Sequence, residues 1–302
     1  MSPPDTPLRV GFVGLGRMGS AIAGRVLGGG HDLVAHNRTP RTTGAAELER
    51  GGARIAPDIA GACAQRELVI TMLANDDALR EVALGPGGLR EHLAPGAIHM
   101  TMGTHGVQTI VELAAAHDEA GQVLLHVPVL GRPDAAAAGQ LGIVTGGPDD
   151  ALALAAPLFE VIGRRVFHAG PRPESATAIK LANNLMLGCA IEVMGEAFSL
   201  VRKFGVDPAV FDDVLVEGLF GGIAHRVYGK IIVEESYDDV GFTAALGLKD
   251  ANLALAAGDF ARLPLPSVNA WRDRLLSAIA HGNGELDWAV VAREQAQAGG
   301  LD

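Results

Sequence analysis

Residues 8–19 read LRVGFVGLGRMG, and the order of elements in this stretch decides the fold. A short apolar run, LRVGFV, enters a turn with glycine at positions 14, 16 and 19, and the amphipathic stretch SAIAGRVLGGG continues from Ser20. That order predicts strand, turn and helix. Each glycine has its own mechanical task. Gly14 permits the tight turn, Gly16 lets backbone approach a pyrophosphate, and Gly19 lets the helix pack closely on the strand. The helix start offers N–H groups and a positive dipole end to phosphates. Leu15, Arg17 and Met18 complete the loop, so residues 14–19 are read as a dinucleotide-binding turn.

Working outward, the same alternation continues. Apolar runs at 32–35, 67–73, 97–100, 123–129 and 142–147 are strand candidates, and helical patterns at 105–119 and 149–160 separate the later ones. Strands that alternate with helices predict a mainly parallel, Rossmann-type doubly wound α/β sheet covered on both faces. After about residue 170 the pattern changes. A helical period without internal proline runs over about 174–204 and stops at Gly205; further helices are predicted at 208–217, 243–257 and 268–281. The chain therefore reads as a Rossmann domain over 1–170 and an all-α domain over 171–302, joined by a long inter-domain helix.

The end of the second strand selects the dinucleotide. An NAD site places a carboxylate there for the ribose diol. This chain has Asn37, Arg38 and Thr39, with Arg41 close by. A guanidinium and a hydroxyl suit a 2′-phosphate, so the predicted cofactor is NADP(H).

Composition narrows the function class. At 302 residues the chain is long for one core, and 48% hydrophobic against 20% charged residues describes a well-buried protein. A net charge of −11 leaves no basic stripe to neutralise phosphates, which argues against nucleic acid. Neither a basic amphipathic segment nor an uninterrupted apolar stretch of bilayer length is read, so no membrane role is expected. Cys63 and Cys189 are far apart and read as reduced thiols, and MSPPDTP lacks the pattern of a leader peptide; a soluble cytoplasmic protein is the expectation. The ten histidines show no metal-ligand spacing, so no metal is predicted.

Six motifs in order give the chain a family resemblance over about residues 8–295. They are GFVGLGRMG at 11–19, ITMLAN at 70–75, MGT at 102–104, HVPVLGRPDAAAAGQLGIVTGG from His126, IKLANN at 179–184 and GLKDANLALA from Gly247. Together they resemble the β-hydroxyacid dehydrogenase family, which includes 3-hydroxyisobutyrate dehydrogenases, tartronate semialdehyde and glyoxylate/succinic semialdehyde reductases and, more distantly, imine reductases. The resemblance implies Lys180 as general acid/base and Asn184 as its partner near the substrate. It puts Met72, Leu73, Thr104, Lys249 and Asp250 at the cofactor, Val129, Leu130, Gly131 and Arg132 at the substrate, and Phe242 beside the nicotinamide.

The physics of Lys180 and Asn184 stands beside this. At i and i+4 they share one helix face. A lysine withdrawn from water gives up its proton more readily, and an ammonium can stabilise and then protonate the oxygen of a carbonyl being reduced. The expected function is NADPH-dependent hydride transfer between the nicotinamide and a small aldehyde, ketone or hydroxy compound. The alternatives are an imine reductase-like C=N reductase and a non-catalytic NADP-binding module; retention of Lys180 and Asn184 argues against the latter. Imine reductases usually carry Asp or Tyr where this chain has Lys180.

Departures from the family pattern bear on the substrate. Leu130 stands where serine is common, His126 where aspartate is common, Arg132 where a second glycine is common, and Ala74 where proline is common. Glu174, Ser175, Ala176 and Thr177 replace the glycines ahead of Lys180. Glu174 reads as a first-turn helix acid facing water, the alternative being a carboxylate facing the pocket. Trp271 and Trp288 read as packing anchors, His225 and Tyr228 as core or surface residues, and Glu192 and Glu196 as contacts to neighbouring helices. The apolar long helix has more surface than one small domain covers, so a homodimer through the helical domain is expected.

Overall fold

The computed structural model describes residues 7–39 and 42–301; Arg41 lies outside the described residues. Two compact units divide inside the long helix, between Lys180 and Leu181.

Among the described residues the first unit is built on a nine-stranded sheet. Its strands are β1 (Arg9–Val13), β2 (Asp32–His36), β3 (Arg54–Ile55), β4 (Leu68–Thr71), β5 (Ile98–Thr101), β6 (Val123–His126), β7 (Val129–Leu130), β8 (Leu141–Gly146) and β9 (Gly163–Gly170). The first six lie in the order β3-β2-β1-β4-β5-β6 and pair in parallel. That is the doubly wound order, with its reversal at β1, between β2 and β4. β8 then runs antiparallel to β6 and β7, and β9 runs parallel to β8.

Strands β1, β2, β4, β5 and β6 are largely apolar because both faces of the sheet are covered there. Phe12, Leu33, Leu68, Ile70 and Met100 point into one core, while Val13, Val34 and Val69 point into the other. Neighbouring residues of one strand thus supply opposite cores, as a two-residue period requires.

The second unit is all helical: the remainder of Pro173–Lys203, then Pro208–Glu217, Ile223–Glu234, Ala244–Ala261, Pro266–Ala280 and Val291–Ala298. The long helix stops where Gly205 takes a φ of +73°, and the next begins on Asp207, which accepts from the Ala209 N–H ahead of Pro208. Trp271 and Trp288 are buried together at 5.9 Å between ring centroids. Glu192 pairs with Arg274 on a neighbouring helix at 3.1 Å.

Several elements differ from the sequence reading, among them β3, β9 and the helix Ile223–Glu234. β3 has only two residues, and β9, GRRVFHAG, is largely exposed, so neither shows a buried-strand pattern. Helix Ile223–Glu234 shows Ile223 to solvent, which hides its period. The long helix is, among the described residues, apolar and long enough to cross a bilayer by length and composition alone. Its Ile191, Met194 and Phe198 instead sit in the core of the helical unit.

Candidate active site

The glycine turn shows three separate reasons for its three glycines. Gly14 has a φ of +101°, and a side chain there would strike the Met72 carbonyl. A Cβ on Gly19 would strike the carbonyl of Gly14, so helix Arg17–Gly28 can sit on β1 only without it. A Cβ on Gly16 would meet nothing within 4 Å. That space lies at the start of a helix with no side-chain cap and no acid in its first turn. Uncommitted N–H groups, a positive dipole end and an open approach fit a dinucleotide pyrophosphate.

Asn37 ties the first two loops together. Its Oδ1 accepts from the Leu15 N–H at 2.9 Å, and its Nδ2 donates to the Thr39 carbonyl at 2.9 Å. The Leu15 side chain is buried in the core, so that residue shapes the turn from within. Arg17, Arg38 and Thr39 are exposed, and Met18 is half-buried.

The loops after β4 and β5 close on the same end of the sheet. Met72 and Leu73 are half-buried, and a Cβ on Gly103 would lie 2.7 Å from the Leu73 carbonyl. Thr104 is half-buried beside it. Below this loop Asp76 accepts from the Thr109 hydroxyl at 2.6 Å, from the Gly106 N–H at 3.1 Å and from His105 Nδ1 at 3.1 Å. Burial disfavours its charge, but the bonds from His105, Thr109 and Gly106 outweigh burial and hold its pKa down to about 2.

Lys180 belongs to the sheet unit and is half-buried, with Nζ donating to the Val129 carbonyl at 2.9 Å. Val129 and Leu130 form β7, Gly131 turns with a φ of +142°, and Arg132 caps the short helix Pro133–Ala137. One turn before Lys180, buried Thr177 meets buried His126 at 2.7 Å, and His126 Nε2 lies 3.1 Å from the Gly103 carbonyl. Glu174 is engaged by exposed Arg172 at 3.3 Å.

The helical unit holds a second group of the expected residues. Asn184 donates through Nδ2 to Asp250 at 2.6 Å, and Lys249 Nζ lies 3.2 Å from the other Asp250 oxygen. Asn184 and Asp250 are buried, so the carboxylate fixes the amide's orientation. Phe242 stacks edge-on against Trp288 at 4.8 Å, and Trp288 Nε1 donates to the Tyr228 hydroxyl at 2.9 Å.

Reading motifs along the chain passed over His105 and Asp76, and noted His126 and Thr177 only as departures. Their partners are distant in sequence, and no local pattern announces them. Among the described residues no three His, Cys, Asp or Glu side chains come together to hold a metal ion.

Comparison with known proteins agrees with this architecture. The family model for the NAD-binding domain of 6-phosphogluconate dehydrogenase matches residues 9–170. A second, described as NAD-binding of NADP-dependent 3-hydroxyisobutyrate dehydrogenase, matches residues 175–294. The chain is similar to an uncharacterized oxidoreductase of Bacillus subtilis, with 39% identity over 95% of this chain and 99% of that one. It is similar to 3-hydroxyisobutyrate dehydrogenase of Pseudomonas aeruginosa, with 31% identity over 94% and 97%. Among solved structures it is similar to Psf3 in complex with NADP+ and 2-OPP, at 27% identity, 94% and 99% coverage and a TM-score of 0.82.

Proposed function

The chain belongs to the β-hydroxyacid dehydrogenase family of NAD(P)-dependent oxidoreductases, and on that premise we propose that it is an NADPH-dependent reductase of small aldehydes or ketones, reversible on the matching hydroxy compounds, with Lys180 as proton donor. The observation that carries this reading is Lys180 itself, a half-buried ammonium held 2.9 Å from a backbone carbonyl rather than a solvated surface charge. A bound nicotinamide supplies or accepts the hydride. The chain's own share is the proton: Nζ stabilises negative charge growing on the substrate oxygen, then protonates it. Asn184, one turn further along the same helix with its amide oriented by Asp250, is the proposed partner residue.

The preference for NADP(H) is supported by exposed Arg38 and Thr39 after β2, with no carboxylate anywhere in residues 36–46. A guanidinium there pairs with a 2′-phosphate, and no charge repels it. The expected outcome is steady NADPH consumption with a panel of small aldehydes and ketones, reduced at least about a hundredfold in Lys180→Ala. NADPH is expected to bind more tightly than NADH. Unchanged turnover in Lys180→Ala, tighter NADH binding or turnover of imines alone would overturn the reading.

The same reading includes a homodimer through the helical unit. Met186, Val193 and Leu200 lie two turns apart on one face of the long helix and are 71%, 61% and 60% exposed. Phe204, Val210 and Val214 are exposed as well, and an apolar stripe like that of the long helix is what subunits bury. Light scattering at micromolar concentration is expected to give a dimer, and Leu200→Glu a monomer; a monomeric wild type sinks the idea. The free thiols of Cys63 and Cys189 support a reducing, cytoplasmic setting.

A further inference from the structure

Residues 126–129 grip the start of the long helix at two points. His126 and Thr177 are both completely buried, with Nδ1 and Oγ1 2.7 Å apart. On its other side His126 Nε2 lies 3.1 Å from the Gly103 carbonyl, which can only accept. The ring proton therefore sits on Nε2, and Nδ1 accepts from the Thr177 hydroxyl. Three residues along both segments, the Val129 carbonyl accepts from Lys180 Nζ at 2.9 Å. Thr177 and Lys180, at i and i+3, share one face of the helix.

We propose that His126 is a positioning residue: through Thr177 and Gly103 it joins the helix that carries Lys180 to the loop after β5, and so sets where the ammonium stands relative to that loop. The inference rests on Lys180 being the proton donor. A neutral imidazole suits the task because it donates on one side and accepts on the other. Burial and then neighbouring His105 hold its pKa down to about 3, with Lys180 acting the same way against the Gly103 carbonyl and Asp76. The ring therefore keeps one tautomer throughout the neutral range. A carboxylate at this position accepts only, and would meet the Gly103 carbonyl as a like pole.

Three variants separate the roles. Thr177→Val removes one hydroxyl, His126→Leu removes both hydrogen bonds, and His126→Gln keeps a donor and an acceptor. The expected result is a kcat about 10- to 100-fold lower in Thr177→Val and His126→Leu, an unchanged dissociation constant for NADPH, and most of the rate restored in His126→Gln. A second readout needs no turnover: the rate of reductive methylation of Lys180, followed by mass spectrometry. It is expected to be slow in wild type and His126→Gln and severalfold faster in Thr177→Val. Should His126→Leu fail to fold, the other two variants still decide. If wild type reduces no carbonyl while methylation follows this pattern, the reductase reading falls and the positioning role stands. Equal methylation rates in wild type and Thr177→Val, or wild-type kcat in a folded Thr177→Val, overturn the positioning role.

Discussion

Among the described residues, the buried ionisable side chains of the sheet unit are, Cys63 and Arg66 apart, histidines; the acidic ones, Glu192, Asp250, Asp287 and Glu294, all lie in the helical unit. The difference shows two ways of keeping polarity inside a fold. A buried carboxylate needs partners around it: Asp250 has Asn184 and Lys249, while Glu294 has Ser277, His281 and Asn283. A histidine can shed its charge and serve as a spacer between other groups. In the sheet core Gln122 donates to the carbonyls of Arg90 and Leu93, so its oxygen must accept from His117 Nδ1, 2.7 Å away. His117 Nε2 then accepts from His99 Nδ1, and His99 Nε2 accepts from the Thr71 hydroxyl, each at 2.9 Å. One amide fixes every proton in an uncharged chain through the sheet.

The strongest way to break this contrast is to damage one unit and watch the other. Trp288 packs edge-on against Tyr228, Phe242 and Trp271, so Trp288→Ala is expected to cost the helical unit about 3–5 kcal/mol. Amide hydrogen exchange should show lost protection beyond Lys180 and little change in β1 to β6. Uniform loss across both units would mean that they unfold as one body.

Acid sharpens the contrast with a smaller effect. Burial first, and charged neighbours second, hold the pKa of His99 and His126 below the ordinary 6.5, with His126 at about 3. The unfolded chain therefore binds protons that the folded sheet unit refuses. The contribution of each histidine is complete above pH 6.5 and declines as the pH falls toward the folded value, by up to about 1.4 kcal/mol per pH unit. Glu192 has the opposite sign. Burial, against the pull of Arg274, raises it from 4.5 to about 7, so its contribution is complete below pH 4.5 and is lost as the pH rises through about 7. Lowering the pH from 7 to about 5 should thus loosen the sheet unit before the helical one, read by hydrogen exchange corrected for intrinsic rates. The reverse order would remove the histidines from this account.

What could be read from the sequence follows the reach of the interactions. The strand, glycine turn and helix over 9–28 were legible because Gly14, Gly16 and Gly19 act within a few residues of one another. β9 was not, because its exposed Arg164, Arg165 and Phe167 carry no alternation and only pairing with β8 makes it a strand. Lys180 and Asn184 were legible as a motif, yet their partners Val129 and Asp250 are 51 and 66 residues away. The role of His126 depends on burial and on Thr177, also 51 residues away, and neither shows in local spacing.

The missing side chains of Gly14 and Gly103 have a further consequence, for exchangeability. Gly14 leaves room for the Met72 carbonyl and Gly103 for that of Leu73, so the loops after β1, β4 and β5 are keyed to each other as a set. A graft that replaces one of them with a bulkier counterpart displaces the other two. To re-engineer cofactor choice in this chain, all three loops have to be transplanted together, or the change confined to Arg38 and Thr39, whose exposed side chains stand clear of that joint.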